Sequence, residues 1–120
     1  MSSSAKSILV FGIYLAALGL VLLVVPNMLL QLFGFERTQE PWIQVLGVVV
    51  AALGYYYITA AKSNARAFFA ATVHGRTWLL SAFTVLVLLG LAKPMLIVFG
   101  AIDFAGALWT WKSLRRDSQA

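Results

Sequence analysis

The chain has 120 residues, of which 62% are hydrophobic and 11% are charged, and its formal net charge is +5. Globular chains carry about 25% charged residues, and a small soluble domain buries only a modest fraction of its surface, so the composition excludes a soluble domain and predicts an integral membrane protein. Because most basic residues lie beside apolar runs, as they do in loops that face anionic lipid, the positive charge predicts membrane lipid as a partner and not nucleic acid.

The first predicted spanning helix covers residues 8–25 and follows a short polar tail at residues 1–7. Eighteen helical residues extend about 27 Å, close to the ~30 Å hydrocarbon core of a bilayer. The run is longer than the apolar part of a typical signal peptide, and no small-residue cleavage site follows it, so we expect a retained helix. After Pro26, residues 27–35 are apolar but too few to span, which predicts a short interfacial helix, with a kinked continuation of the first helix as the alternative.

Three further spanning helices are predicted at residues 42–61, 67–91 and 95–111, with a tail at residues 112–120. Four spans put the N-terminal tail, the second loop and the C-terminal tail on one side of the membrane. These segments carry six cations, namely Lys6, Lys62, Arg66, Lys112, Arg115 and Arg116, whereas the other two loops carry only Arg37 and Lys93. The positive-inside rule therefore predicts an inner-membrane protein with both termini in the cytoplasm. The expected fold is all-α, a single antiparallel bundle of four transmembrane helices over residues 1–120.

A short motif, G-x-x-x-A-A-L-G, occurs in the first and the second spanning helix, at residues 12–19 and 47–54. Small residues spaced by three or four positions let two helix backbones approach closely. The candidate packing residues are Gly12, Ala16, Gly19, Gly47, Ala51 and Gly54, with Gly100 and Ala107 in a related stripe on the last helix. Close helix packing is the expected role of the motif, and an inverted repeat of the transporter kind is the alternative.

The run at residues 96–111 contains a single acid, Asp103, near its middle. An ionised carboxylate at the centre of a bilayer costs roughly 2.5–3.5 kcal/mol on insertion scales. Arg76 lies at a similar depth on the preceding helix, and the tight turn at Lys93 and Pro94 makes those two helices neighbours. An Arg76–Asp103 ion pair would reduce the desolvation cost of both charges, so the sequence predicts one.

Other polar and aromatic residues lie in the same half of the predicted bundle: Tyr14, Tyr55, Tyr56, His74 and Trp78. His74 stands about 200° around the helix from Arg76, so both cannot face Asp103, and Trp78 shares the His74 face. The cluster either fixes the helix register or forms a site for a small amphiphile or a proton. The sequence leaves both roles open.

The sequence offers little for catalysis or for metal binding. It contains no cysteine and one histidine, and one acid beside an arginine falls short of a coordination set for a cation. We therefore expect no metal, no cofactor and no catalytic residue. The favoured function is a structural or accessory component of a membrane complex, and the alternative is a small oligomeric binding or transport protein that uses the Arg76–Asp103 site. An enzyme that acts on lipid is the third hypothesis.

A family resemblance rests on four features of the sequence. They are its length, the G-x-x-x-A-A-L-G motifs, the H-x-R of His74 and Arg76, and the I-D-F-A-G-A-L-W-T stretch at residues 102–110. In these features the chain resembles small bacterial four-helix membrane proteins of the DoxX-like group, and it is distantly similar to the four-helix scaffold proteins of sterol pathways. The resemblance implies a membrane bundle that in some members accompanies a larger membrane protein. It implies no catalytic residue for this chain.

Overall fold

The structure is a computed structural model that describes residues 1–119; the side chain of Gln119 and the whole of Ala120 lie outside the described part. The described residues form five helices and no strand, which confirms the all-α class. The helices are α1 (Ser3–Val24), α2 (Pro26–Leu32), α3 (Trp42–Lys62), α4 (Arg66–Leu88) and α5 (Met95–Gln119). Four of them, α1, α3, α4 and α5, are long and apolar enough to cross a membrane.

Helix α1 begins five residues earlier than the sequence predicts, at Ser3 and not at residue 8. The predicted polar tail is helical because the Ser2 side chain caps it, accepting a hydrogen bond from the Ala5 amide at 3.1 Å. The same hydroxyl donates to the side-chain amide oxygen of Asn64 at 2.9 Å, which ties this end of α1 to the turn between α3 and α4.

Residues 27–35 were expected to form a separate short helix, and the structure has one, α2, over Pro26–Leu32. Val25 separates it from α1 with a non-helical backbone at φ −134° and ψ 58°, so α2 does not continue α1. Proline at the first helical position suits this start, since its missing N–H would have no partner there.

Helix α4 ends three residues before the predicted residue 91, and a glycine explains its position. Gly90 has φ +77°, a left-handed conformation that favours glycine. The Gly90 amide donates to the Val87 carbonyl and the Leu91 amide donates to the Leu86 carbonyl, each at 3.0 Å, which is the Schellman termination of a helix.

Helix α5 is eight residues longer than the predicted 95–111. The residues assigned to a tail are rich in Lys and Arg, which favour the C-terminal turns of a helix. Within this extension the Asp117 carboxylate accepts hydrogen bonds from both the amide and the hydroxyl of Ser4, at 3.0 and 2.5 Å. These contacts hold the end of α5 against the beginning of α1.

Helix α1 is the centre of the fold, with its most extensive contacts to α3 and further contacts to α5. The two G-x-x-x-A-A-L-G motifs face each other across the α1–α3 interface. A Cβ atom on Gly54 would lie 2.5 Å from the Ala16 nitrogen and 2.7 Å from the Gly12 carbonyl oxygen. A Cβ atom on Gly19 would likewise meet the backbone of Gly47 and Ala51. The two backbones are therefore so close that only glycine fits at these positions.

The longest dimension of the molecule is 49 Å. The two ends of the helix bundle differ in chemistry. One end joins the start of α1, the α3–α4 turn and the end of α5, through Ser2–Asn64, Ser4–Asp117 and Arg66–Ser118 contacts. We call it the cationic end because it holds the six cations named above. The opposite end is held by Asn27, whose side chain bonds the Thr38 backbone, and by Phe33 packed on Phe99 at 4.7 Å.

Candidate functional site

A layer of buried polar side chains crosses the bundle next to its apolar core, in the half nearer the cationic end. Its members are Ser4 and Ser7 on α1, Thr72 and Arg76 on α4, and Thr110 and Ser113 on α5. The core beside it is built from Ile8, Phe11, Leu15, Tyr57 and Phe69 together with small alanines. Helices α1, α4 and α5 therefore meet in this half through polar groups as well as apolar ones.

Arg76 is the charged member of this layer, with 4% of its surface exposed. Its Nη2 atom donates to the hydroxyls of Thr72 and Thr110, both at 2.9 Å, and its Nε atom donates to the Thr72 carbonyl at 3.2 Å. The Thr110 hydroxyl also shares a hydrogen bond with Ser7 at 2.8 Å. We call Ser7, Thr72, Arg76 and Thr110 the guanidinium cluster. It links three helices through hydrogen bonds.

Aromatic rings cover the guanidinium on the α1 and α3 side. Its central carbon lies 4.8 Å from the Phe11 ring centroid and 5.9 Å from that of Tyr57. Such cation–π contacts stabilise a desolvated cation by roughly 0.5–2 kcal/mol. A Cβ atom on Gly106 would lie 3.0 Å from Arg76 Nη1 and 2.8 Å from Phe11, so glycine at this position of α5 leaves room for both side chains.

The predicted ion pair between Arg76 and Asp103 is not formed. Among the described side chains the ion pair present is Lys93–Glu36, at 3.8 Å and at the opposite end of the molecule. Asp103 is half-buried, and its side chain lies near those of Arg76, Tyr14 and Tyr57. The prediction was wrong about the contact because the Arg76 side chain turns along its own helix to Thr72 and inward to Thr110, whose hydroxyl oxygens accept its hydrogen bonds.

Of the remaining candidates, the structure brings Tyr14 near Asp103 and leaves the others outside the cluster. Tyr14 packs on Phe11 with ring centroids 5.3 Å apart. Four side chains are exposed on the outer surface of the bundle: Tyr55 at 66%, Tyr56 at 56%, Trp78 at 71%, and His74. Helical spacing explains this outcome, since neighbouring residues point in different directions and Tyr57, not Tyr55 or Tyr56, faces the core.

Sequence reasoning missed Ser7 and Thr110 as partners of the arginine, and it did not select Tyr57. A signal for Thr110 was present, because it continues the stripe of Gly100, Asp103 and Ala107 on α5. Ser7 was assigned to a polar tail, so its place inside the bundle was hidden by the wrong helix start. Gly100 and Ala107 lie buried on the same helix, with Gly100 against Leu80 of α4.

One atom of the site has no hydrogen-bond partner among the described residues, namely Arg76 Nη1, which is fully buried. A buried N–H without an acceptor costs about 1–3 kcal/mol, and more when the group is charged. The described residues contain no group of three His, Cys, Asp or Glu side chains that could hold a metal ion. The site therefore offers a positively charged hydrogen-bond donor, Arg76, near a single carboxyl group, Asp103.

Comparison with protein-family models, with curated proteins and with solved structures finds no match for this chain. The resemblance to the DoxX-like group stays a prediction.

Proposed function

We propose that this chain is an integral protein of the cytoplasmic membrane and acts as a structural or accessory component of a larger membrane complex, without catalysis of its own. Its surface supports the membrane location. In the most apolar 18-residue stretch of each of the four helices the share of buried residues is small, from 33% in α1 down to 11% in α4. The side chains left outside are mostly large and apolar, such as Leu20, Val49, Val85 and Leu88, and hydrocarbon is a suitable solvent for them.

The order of contacts supports an antiparallel arrangement of the spans. Along α1, Gly12 meets Gly54 while the later Gly19 meets the earlier Gly47, so α1 and α3 run in opposite directions. With the six cations gathered at one end, the positive-inside rule assigns that end to the cytoplasm. Helix α2 then lies at the opposite interface, where a short apolar helix can rest on the membrane surface.

The accessory role is supported by the buried polar side chains, which bond to one another and not to a reactive group. Arg76, Thr110 and Ser7 bond to one another between helices, and Ser4 bonds to Asp117. Groups engaged in this way fix the arrangement of the helices, and they leave no activated nucleophile beside a base in the described part of the chain. The exposed faces of α3 and α4 are then available to lipid or to another membrane protein.

Native mass spectrometry of the protein, extracted from its own membrane in a mild detergent, tests this proposal. We expect a complex with a larger membrane protein, in a defined ratio. The matched experiment uses a chain with Val49→Ser and Val85→Ser on the exposed faces of α3 and α4, which should lose the partner while keeping its helix content by circular dichroism. Extraction only as a bare monomer or homo-oligomer contradicts the accessory role.

A second candidate function is binding of a small amphiphile or a proton at Arg76 and Asp103. The specific observation in its favour is the buried Nη1 atom of Arg76, which has no hydrogen-bond partner among the described residues and could therefore donate to a ligand. The Asp103 side chain is close enough to interact electrostatically with this arginine. Charged groups within membrane spans are enriched at functional sites.

This second candidate predicts that Asp103→Asn and Arg76→Lys stay folded but lose a small molecule that the wild-type protein retains through purification. Denaturing mass spectrometry of the purified proteins makes the comparison, and Glu40→Gln in an exposed loop is the control. Identical small-molecule content in all four proteins argues against a site at this position.

A further inference from the structure

Two shallow cavities, both widely open to the outside of the bundle, lie one after the other along α5, on the side that α4 covers in part. The outer cavity, about 310 Å³, is lined by Trp111, Leu114, Arg115 and Ser118. The inner cavity, about 250 Å³, is lined by Val73 and Thr77 of α4 and by Phe104, Ala107, Leu108 and Trp111 of α5. The α5 residues recur every three or four positions, so they share one face of the helix. Because Trp111 lines both cavities, the two are adjacent on this face of α5, and we call them together the groove.

The two halves of this groove differ in chemistry. The inner half is almost entirely apolar, with the Thr77 hydroxyl bonded to the Val73 carbonyl of its own helix. In the outer half the Arg115 guanidinium lies 5.0 Å from the Trp111 ring centroid. A second guanidinium reaches the rim, where Arg66 Nη2 donates to the Ser118 hydroxyl at 3.0 Å.

The acid nearest the mouth of the groove, Asp117, forms no ion pair with Arg115 or Arg66 among the described side chains, although its charge interacts with that of Arg66. Its carboxylate is directed to the start of α1, where it accepts two hydrogen bonds from Ser4. The cationic end therefore presents Arg115 and Arg66 at the groove and further cations around it. Guanidinium groups bind phosphate with paired, charge-assisted hydrogen bonds.

The length of the groove matches one leaflet of a bilayer. Arg115 follows Phe104 by eleven positions, which is about 16.5 Å along a helix at 1.5 Å per residue. Half of the hydrocarbon core is about 15 Å. An occupant with a phosphate at Arg115 would thus have an acyl chain beside Leu108 and Phe104, with Trp111 at the boundary where tryptophan is enriched.

We propose that this groove is a binding site for one anionic phospholipid, with the phosphate held by Arg115 and Arg66 and an acyl chain in the apolar half between α4 and α5. The inference rests on the membrane location proposed above and goes beyond it by assigning a specific lipid site. Charge complementarity selects an anionic headgroup over a zwitterionic one.

Native mass spectrometry in a detergent micelle, with phosphatidylglycerol or phosphatidylcholine of matched acyl chains added, measures the binding. The wild-type protein should retain one phosphatidylglycerol in preference to phosphatidylcholine. Arg115→Gln should weaken that adduct by about fivefold, the effect of one cation near an anionic headgroup, while Arg116→Gln, outside the groove, should change it less than twofold. Equal loss in the two variants, or equal retention of both lipids by the wild type, overturns the proposal.

The position of the acyl chain is tested with a protein in which Trp111 is the remaining tryptophan, made by Trp42→Phe, Trp78→Phe and Trp109→Phe. A small mole fraction of phosphatidylglycerol brominated in its acyl chain should quench Trp111 fluorescence more than brominated phosphatidylcholine does. Adding Val73→Phe, which fills the inner cavity, should remove this difference. Inorganic phosphate at millimolar concentration should leave the quenching unchanged, since the free ion lacks an acyl chain.

These outcomes separate the lipid site from the membrane location. Quenching by both brominated lipids to the same extent shows membrane insertion and overturns the lipid site alone. Absence of any quenching contradicts the membrane location itself. A dimer that loses its interface in Val73→Phe assigns the groove to a second copy of the chain and overturns the lipid proposal.

Discussion

Arg76 shows how a buried cation is accommodated in this protein without contact to a carboxylate. The guanidinium donates hydrogen bonds to the hydroxyls of Thr72 and Thr110 and to the Thr72 carbonyl. It also makes cation–π contacts with the rings of Phe11 and Tyr57. Hydroxyl oxygens on neighbouring helices provide acceptors at lower desolvation cost than a second buried charge would. Thr110 is the central partner because it also contacts Ser7.

Thr110→Val should lower the free energy of unfolding by about 1–3 kcal/mol, because it removes an acceptor of Arg76 and a partner of Ser7 while both stay buried. Thermal unfolding in detergent, followed by circular dichroism, measures the change. Thr59→Val is the matched control, since Thr59 is exposed on α3. A Thr110→Val midpoint equal to that of the control would show that the cluster contributes nothing to stability.

A charge exchange between Arg76 and Asp103 should fail to restore stability. The two side chains do not form an ion pair, so Arg76→Asp combined with Asp103→Arg loses the Thr72 and Thr110 bonds and creates no replacement. The double variant should be at least as unstable as the less stable single variant in the same thermal measurement. Recovery of most of the loss would instead establish direct pairing of the two residues.

At the scale of the helices, the α1–α3 interface depends on backbone contact at glycines. Gly54 lies against the backbone of Ala16 and Gly12, which cannot move aside as a flexible side chain can. Gly75, in the middle of α4, has no atom within 4 Å of the position where a Cβ would be. These two helical glycines therefore have opposite roles.

Gly54→Ala should lower stability by about 1–3 kcal/mol, since the added methyl group forces α1 and α3 apart. Gly75→Ala should leave stability unchanged or raise it by up to ~1 kcal/mol, because alanine favours the helix and meets nothing. Thermal midpoints of the two variants make the comparison. Similar destabilisation by both substitutions would contradict the close approach of α1 and α3.

At the scale of the whole molecule, the two ends differ in charge and in the contacts that hold them. The absence of cysteine from the chain allows the sides of the membrane to be assigned with single introduced thiols. Ser63 lies in the turn at the cationic end, and Gln39 lies in the loop before α3 at the opposite end; both are exposed.

A membrane-impermeant maleimide should label Ser63→Cys only in inside-out vesicles and Gln39→Cys only in spheroplasts. The expectation follows from the six cations at the end where Ser63 lies. Labelling after detergent solubilisation is the control for access to each thiol. Labelling of both variants from the same side would contradict four crossings with these loops on opposite sides.

The number of apolar helices and their approximate positions follow from the sequence because spanning length and hydrophobicity are local properties of the chain. The sequence predicts the ends of the helices less accurately than their positions. Ser2 and Gly90 are recognisable cap residues, but their use depends on the partners that Asn64 and the final turn of α4 provide. The extension of α5 to the cationic end depends likewise on Asp117 meeting Ser4.

By itself, the sequence determined that this protein is all-helical, has four helices of membrane-spanning length, and contains Arg76 and Asp103 within apolar surroundings. Only the tertiary structure decided that Arg76 turns to Thr72 and Thr110, that Tyr57 and not its two neighbours enters the core, and that Asp103 stands near the arginine without pairing to it. The physical reason is that an apolar run shows where a helix lies in the chain and whether it is long enough to span a membrane. The partner of a polar group is set by the rotation and spacing of helices that are distant in the chain.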